Sequence, residues 1–240
     1  MSQFQLFHLA SVRICKLMKR ILMIVTSHAR LGATETKTGF WLEELATPYL
    51  ALTQAGVEVE IASPAGGQPP ADPKSEQNPT PEVKAFLDDP AAVQKLSSSL
   101  RLAELSGPYD AYFVVGGHGV MWDLPENAAL QSMLAHAYET GRVVAAVCHG
   151  PAALVNVRLS SGSYLVAGKR VAAFSNAEET AVGLDKVVPF ALESRLIERG
   201  AKYESAPMWS SFAIREGKLI TGQNPASSLA VAQATLAALG

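Results

Sequence analysis

Apolar residues along this chain follow two different periods, and the two alternate from one segment to the next. Continuous apolar runs of strand length are typical of parallel strands that are buried on both faces of a sheet. Such runs span residues 21–27, 109–115 and 142–147. Residues 57–63 alternate apolar and polar side chains, which predicts a strand with one exposed face, nearer the sheet edge. Further strands are predicted over 168–174 and, at the periphery, over 201–205 and 211–223.

Between these strands, apolar residues recur at spacings of three and four, which predicts amphipathic helices. Helical segments of this kind cover 38–52, 126–140, 190–199 and a closing stretch after Asn224 and Pro225. Residues 175–180, which carry two glutamates, are predicted to form an acidic loop. The alternation of strands and helices indicates an α/β fold, with a doubly wound, mostly parallel sheet sandwiched by helices.

Two segments interrupt this alternation. Residues 64–108 are rich in proline but keep apolar residues at helical spacing, so we interpret them as an inserted cap rather than a linker. Residues 1–17 precede a second methionine, Met18, and have neither the charge order nor the cleavage site of a signal peptide. We therefore predict a disordered or dispensable N-terminal arm over 1–17 and a single domain over 18–240.

Composition narrows the classes of function. A chain of 240 residues with 48% hydrophobic content can bury one large core. A net charge of -2 without a basic face gives no footprint for nucleic acid, and no apolar run reaches the length of a membrane span. We therefore expect a small-molecule or peptide partner, with no nucleic acid and no membrane. Cys15 and Cys148 are too few for a disulfide scaffold and fit a reducing cytoplasm.

The most informative stretch joins the apolar run over 142–147 to Cys148, His149, Gly150 and Pro151. This pattern predicts a nucleophile elbow, in which a reactive side chain projects from a tight turn between a strand and a helix. The amide dipoles of the helix N-terminus would favour the thiolate, and the N–H of His149 would face the same position as an oxyanion donor. A cysteine that ends an apolar strand is often only a small buried hydrophobe, but a Gly-Pro pair is not needed merely to pack a thiol.

Two further segments supply candidates at the same edge of the sheet, where α/β proteins bind ligands. The strand over 109–115 runs into Gly-Gly-His-Gly at 116–119, whose backbone can turn tightly and present N–H groups for an oxyanion hole. A phosphate-cradling loop is the rival interpretation, but the Lys-Ser/Thr pair of a P-loop is missing. Glu44 lies on the apolar side of its predicted helix; since most helical glutamates are simply solvated, Glu44 requires support from elsewhere.

Five ordered motifs of this chain resemble those of the ThiJ/PfpI superfamily, whose flavodoxin-like fold is also described as class I glutamine amidotransferase-like. The resemblance covers nearly everything from Met18 onward. Within the superfamily, the chain is similar to the branch of chaperone-like, glutathione-independent glyoxalase III enzymes. The motifs are Thr38-Gly39 with Glu44 and Pro48, Gly-Gly-His-Gly at 116–119, Ala-Ala-Val-Cys-His-Gly-Pro-Ala at 145–152, Glu179-Thr180, and Thr-Gly-Gln-Asn-Pro-Ala-Ser at 221–227.

The resemblance implies a role for each matching residue. Cys148 would be the nucleophile and His149 its partner. Glu44 would hydrogen-bond the cysteine sulfur and act as acid or base, and Glu179 would orient the histidine. The backbone N–H groups of Gly117 and His149 would form the oxyanion hole.

The implied reaction converts methylglyoxal and related 2-oxoaldehydes to 2-hydroxy acids, as a lyase of the D-lactate dehydratase type active in carbonyl-stress defence. Cys148 would form a hemithioacetal, and a base, Glu44 or His149, would move a proton between the two carbons through an enediol. The resemblance implies a homodimer, no cofactor and no metal. Trp209 and Met208 could line the pocket, although aromatic packing in the core is the ordinary interpretation.

Other activities of related folds were weighed against this one. A glutaminase triad needs a histidine far downstream of the cysteine, and no histidine follows His149 in this chain. A cysteine peptidase of the superfamily is harder to exclude and stays open, although such peptidases tend to be compact chains, whereas this one has the insertion over 64–108 and its own Glu179. A deglycase, a holdase chaperone and a redox sensor based on oxidation of Cys148 stay open.

Several polar residues near the predicted site are given structural roles. His28, Glu35 and His118 are potential metal ligands, but scattered single residues on loops lack the spacing of ligands, so we expect solvated or capping roles. Glu43 and Glu178 match no functional position and are interpreted as solvated charges.

Overall fold

The computed structural model describes residues 18–105 and 107–240, so the predicted arm over 1–17 lies outside the described residues. The strands are β1 (Arg20–Ile24), β2 (Glu58–Ser63), β3 (Leu100–Arg101), β4 (Ala111–Val114), β5 (Val143–Val147), β6 (Arg170–Val171), β7 (Lys202–Tyr203), β8 (Ala213–Glu216) and β9 (Leu219–Gly222). The α-helices are α1 (Leu42–Gln54), α2 (Pro81–Leu87), α3 (Pro90–Ser97), α4 (Val120–Asp123), α5 (Ala128–Glu139), α6 (Asn176–Ala181), α7 (Leu192–Glu198) and α8 (Ser228–Leu239).

A seven-stranded sheet in the order β3-β2-β1-β4-β5-β9-β8 forms the centre of the domain. Its strands pair in parallel except for the β8–β9 hairpin. The central strands β4 and β5 are buried along their whole length, because helices cover both faces of the sheet. The α/β fold predicted from the sequence is therefore confirmed.

Alternate residues of each central strand enter two separate cores. In β1, Leu22 and Ile24 pack on the side of α4, α5 and α7, whereas Ile21 and Met23 pack on the side of α1, α2, α3 and α8. This alternation follows from the strand geometry, in which successive side chains point to opposite faces. Both cores are apolar and pack against opposite faces of the same sheet. None of the helices in the described residues has the length and apolarity that crossing a bilayer requires.

The segment over 64–108 does not cover the cavity described below, which corrects its interpretation as a cap. Its helix α2 packs against α1 and its helix α3 packs against α2 and β2, and the described residues that line the cavity all lie outside the segment. Instead the segment braces the loop that leads into α1. The N–H of Phe40 bonds to the carbonyl of Pro70 at 3.0 Å, and the Thr38 hydroxyl donates to Asp72 at 2.8 Å.

Three further predictions of secondary structure need correction in length, position or type. The strand expected over 168–174 is only β6, which pairs with β7 in a separate two-stranded sheet. The strand β9 was expected at the periphery, but it pairs directly with the central strand β5. The acidic loop expected over 175–180 is the helix α6, because Ser175 and Glu178 form a capping box at its N-terminus.

Candidate active site

Cys148 occupies a strained turn directly after β5. Its φ angle is 60°, a left-handed conformation that a residue with a side chain seldom adopts. Two backbone hydrogen bonds of 2.9 Å hold the turn, one from the Cys148 N–H to Gly222 and one from the Phe174 N–H to the Cys148 carbonyl. The predicted elbow is therefore present in the backbone. The helix that follows is a 3-10 helix of five residues, Gly150–Leu154, where an α-helix was expected.

The side chain of His149 connects the cysteine to a buried carboxylate. Its Nδ1 lies 3.4 Å from the Cys148 Sγ, and its Nε2 lies 2.8 Å from Glu179 Oε2. The other oxygen of Glu179 is 2.9 Å from the Nε2 of His118. Glu179 therefore bridges two imidazoles, and the structure brings Cys148, His149 and Glu179 together. Their catalytic roles, which the resemblance implies, stay predictions.

The charge states of this group follow from its burial and hydrogen bonds. Burial lowers the pKa of His149, the nearby His118 imidazole lowers it as well, and Glu179 only partly opposes them, so the pKa is about 4. Burial alone would raise the pKa of Glu179, but hydrogen bonds from His118 and His149 outweigh it and hold the pKa at about 2. At neutral pH, Glu179 is thus a carboxylate that accepts from His149 Nε2–H, which leaves the His149 Nδ1 lone pair facing the thiol.

Glu44 is the second buried carboxyl group beside Cys148. It is fully buried on α1, and neither of its oxygens has a hydrogen bond of standard geometry within the described residues. Burial raises the pKa of Glu44, although the Cys148 thiol and the Gly116 N–H lie close enough to oppose this shift. A buried carboxyl without a fixed partner is free to exchange a proton with a bound molecule.

Burial also raises the pKa of the Cys148 thiol, and a charged Glu44 would raise it further. The expectation that a helix N-terminus favours the thiolate is therefore wrong. Loss of solvation on burial outweighs the hydrogen bond from the His149 N–H, which lowers the pKa only in part. A pKa raised above its ordinary value keeps Cys148 as a thiol at neutral pH, so the thiol needs a base, and the Nδ1 of His149 lies 3.4 Å from its sulfur.

The Gly-Gly-His-Gly turn lies opposite the elbow. Gly117 has a φ of 102°, and a side chain there would clash with the backbone of Gly39 and Trp41. Gly117 and His149 both line the cavity, and within the described residues neither N–H donates to another oxygen. Their assignment as the oxyanion hole stays a prediction. The same turn places the His118 Nε2 at 2.9 Å from Glu179, whereas the sequence predicted a solvated or capping role for His118. No local pattern indicates this contact, because the two residues lie 61 positions apart.

A cavity of about 100 Å³ opens above Cys148. This is well below the roughly 300–1,000 Å³ of typical pockets for drug-sized ligands, so the cavity suits a compact ligand of few heavy atoms. Trp41, Phe174 and Trp209 form apolar walls, and Phe174 packs on His149 with ring centroids 4.4 Å apart. Trp209 is 48% exposed, so its interpretation as a core residue was wrong; Met208, 46% exposed, is likewise outside the core.

Glu178 is buried rather than solvated, which corrects its interpretation from the sequence. Its Oε1 accepts hydrogen bonds from the Trp209 N–H, Gln223 and Asn224 at 2.9–3.1 Å. Its Oε2 accepts from the N–H and the hydroxyl of Ser175. Burial would raise the pKa of Glu178, but these bonds outweigh it and lower the pKa. Glu178 thus connects, through these hydrogen bonds, three segments that lie beside the cavity. Glu43, which was also interpreted as a solvated charge, is half-buried.

Replacing Glu178 with glutamine is expected to lower the free energy of unfolding by about 2–4 kcal/mol. The amide offers one acceptor oxygen in place of two, and its NH₂ group would face donors that then lose their acceptor. Urea unfolding followed by circular dichroism measures the change. The control Glu76→Gln, at an exposed position, is expected to change stability by less than about 0.5 kcal/mol. Equal stability of the Glu178 variant and the wild type would contradict this role.

The remaining metal candidates do not form a common site. His28 stacks on Trp122 with ring centroids 5.2 Å apart, and its Nε2 lies 2.6 Å from the Arg30 carbonyl. Glu35 is exposed. In the described part of the chain, the group with the geometry of a ligand set is instead His118, His149 and Glu179.

The chain is similar in sequence and in structure to several known proteins. Rapid Encystment Protein 24 kDa of Francisella tularensis is 41% identical, with a TM-score of 0.90 over 93% of this chain and 100% of that chain. Glyoxalase III of Candida albicans is 27% identical, with a TM-score of 0.85 over 92% of this chain and 97% of that chain. Glutathione-independent glyoxalase hsp3102 of Schizosaccharomyces pombe is 33% identical over 84% of this chain and 89% of its own length.

The family comparison covers the whole candidate site. The sequence profile of the DJ-1/PfpI family matches residues 36–238, a range that includes α1 with Glu44, the elbow and α6 with Glu179. The same α/β architecture is seen in Drosophila melanogaster DJ-1beta, which is 17% identical with a TM-score of 0.59. The chain therefore belongs to the DJ-1/PfpI family.

Proposed function

We propose that this protein is a glutathione-independent glyoxalase that converts methylglyoxal and related 2-oxoaldehydes to 2-hydroxy acids. The observation that carries the proposal is the position of Cys148, with the His149 Nδ1 at 3.4 Å and the buried Glu44 carboxyl, in the lining of a small cavity. The names of relatives from Schizosaccharomyces pombe and Candida albicans support the same activity. A homodimer and a cytoplasmic location stay predictions.

The first step is the addition of Cys148 to the aldehyde carbon. The thiol proton passes to His149 Nδ1 as the Sγ–C1 bond forms, and the Glu44 carboxyl donates its proton to the carbonyl oxygen. The product is a neutral hemithioacetal, flanked by a Glu44 carboxylate and a His149 imidazolium. Glu179, already ionised, stabilises that imidazolium through the 2.8 Å hydrogen bond to Nε2.

The second step moves hydrogen from C1 to C2. The Glu44 carboxylate removes the proton on C1, while His149 protonates the oxygen on C2, which gives an enediol. Glu44 then returns its proton to C2, and His149 takes the proton from the C1 hydroxyl. The result is a thioester of the 2-hydroxy acid on Cys148.

Water completes the cycle by hydrolysing the thioester. Glu44 accepts a proton from the attacking water, and His149 returns its proton to the departing sulfur. The free 2-hydroxy acid leaves, and Cys148, His149 and Glu44 regain their starting protonation states. The thiol of the protein thus performs the role that glutathione would otherwise supply, so the net reaction consumes only the 2-oxoaldehyde and water.

The acid limb of the pH profile of kcat/KM is expected near pH 4, the pKa of His149, instead of about 6.5 for an unperturbed histidine. His149 accepts the thiol proton only when neutral, so activity falls once the pH drops through its pKa. Because unfolded histidine binds its proton near pH 6.5, acidification between these values also favours unfolding. Circular dichroism at each pH separates the two effects. A limb centred near pH 6.5 in folded protein would contradict the assignment.

The identity of the product tests the proposal against the open alternatives. Methylglyoxal is incubated with reduced protein in the absence of glutathione, and the products are identified by proton NMR. Lactate is the expected product. Consumption of methylglyoxal adducts of amino acids without lactate from free methylglyoxal would instead favour a deglycase. Cleavage of peptides would favour a peptidase, and suppression of aggregation alone would favour a holdase.

A further inference from the structure

Three potential metal ligands converge beside the cavity. The ligand atoms of His118, His149 and Glu179 all lie within 4.8 Å of one another. Both Nε2 atoms face the same carboxylate, at 2.9 Å for His118 and 2.8 Å for His149. The side chain of His118 is 12% exposed and that of His149 only 1%, and both residues line the cavity. A small hydrated ion can therefore reach a ligand set that is otherwise shielded from solvent.

The chemistry and spacing of these atoms suit a divalent ion of the zinc type. Zinc binds imidazole nitrogen and carboxylate oxygen at about 2.0–2.2 Å, and two histidines with one glutamate form a site that keeps an open position for water. Ligands of a tetrahedral ion lie roughly 3.3 Å apart. The observed nitrogen–oxygen distances of 2.8 and 2.9 Å are somewhat shorter, and all three ligand atoms lie within 4.8 Å of one another, so small rotations of the three side chains would bring them to this spacing.

We propose that His118, His149 and Glu179 form a binding site for a divalent transition-metal ion, with zinc as the representative ion, and that its occupation inhibits the enzyme. The inhibitory part rests on the proposed glyoxalase function, whereas the binding part does not. The ion would take the place of the two N–H hydrogen bonds that Glu179 accepts.

Inhibition follows from the two nitrogens of His149. A neutral imidazole carries one proton, which resides on Nε2 when that nitrogen donates to Glu179, so Nδ1 can accept the thiol proton. An ion on Nε2 moves that proton to Nδ1. The histidine then faces Cys148 with an N–H group and cannot act as a base. No bond to sulfur and no change of oxidation state is needed, because the ion only exchanges water ligands for protein ligands.

Calorimetric titration of reduced protein with zinc chloride tests the site. The wild type is expected to bind one zinc ion, and His118→Gln and Glu179→Gln are expected to bind it at least about ten-fold more weakly. Replacing even a residue that only hydrogen-bonds a metal ligand lowers metal affinity by roughly 10–100-fold. His136→Gln, at an exposed position on α5, is the matched histidine control and is expected to bind like the wild type. Circular dichroism confirms that each variant is folded.

Two further arms decide which atoms hold the ion. Cys148→Ala is expected to retain zinc affinity, and cobalt(II) bound to the wild type is expected to show no thiolate charge-transfer band. Loss of binding in Cys148→Ala with retention in His118→Gln would overturn the proposal, as would absence of saturable binding by the wild type. Zinc is expected to inhibit lactate formation over the range in which it binds, and binding without inhibition would overturn the inhibitory part. If the wild type forms no lactate, the proposed function fails and calorimetry still decides the binding site.

Discussion

Replacing Cys148 with alanine is expected to lower kcat/KM for methylglyoxal by at least about 1,000-fold. The variant loses the atom that forms the hemithioacetal, and in the described residues no other thiol lies at the cavity. A φ of 60° is about as unfavourable for alanine as for cysteine, so the substitution does not add strain to the turn. The fold is therefore expected to persist. Lactate formation under single-substrate kinetics measures the change.

The chain offers a matched control for this substitution. Cys15 is the other cysteine of the sequence, and Cys15→Ala is expected to leave kcat/KM unchanged. Lactate formation by Cys148→Ala at more than a tenth of the wild-type rate would contradict a covalent mechanism. In that case methylglyoxal would have to react without the thiol, and the strained turn at Cys148 would not serve to present a nucleophile.

Glu44→Gln is expected to lower kcat by about 100- to 10,000-fold, the usual contribution of a general acid or base. The amide preserves the size of the side chain but can neither donate the proton that forms the hemithioacetal nor remove the proton from C1. Since the carboxyl is fully buried without a standard hydrogen bond, the neutral amide is expected to cost little stability. Steady-state kinetics and thermal melting measure both quantities.

Glu43→Gln is the control for this effect, because Glu43 precedes Glu44 on α1 and does not line the cavity. It is expected to retain activity. A Glu44→Gln variant with wild-type kcat would assign both proton transfers to His149. Loss of activity together with a large fall in melting temperature would indicate a structural role for Glu44 instead.

The central strands and the turn that carries Cys148 could be predicted from the sequence. Continuous apolar runs locate β1, β4 and β5, because strands buried on both faces need no polar side chains. The change from an apolar run to Cys-His-Gly-Pro locates the elbow, since a reactive residue on a tight turn needs small or preorganised neighbours. Glu44 could be assigned only through resemblance to a family, because nothing in its local pattern separates a buried glutamate from a solvated one.

Long-range contacts explain what the sequence did not predict. Glu178 follows the ordinary pattern of a first-turn glutamate, and its burial arises from donors on Trp209, Gln223 and Asn224, remote in sequence. His118 meets Glu179 across 61 positions of chain. The start of α6 had a local signal in the sequence, because serine followed three residues later by glutamate is the pattern of a capping box. The prediction of a loop over 175–180 did not use this pattern. The protonated state of Cys148 depends on burial, which a helix-dipole argument from sequence omits.

The most direct test of the central claim is the number of lactate molecules formed per molecule of protein from excess methylglyoxal without glutathione. Thiols and amines also react with aldehydes stoichiometrically, so only repeated turnover separates catalysis from scavenging. The account predicts many equivalents of lactate from the wild type and none above background from Cys148→Ala. One equivalent or less of methylglyoxal consumed by folded, reduced wild-type protein, without lactate, would contradict it.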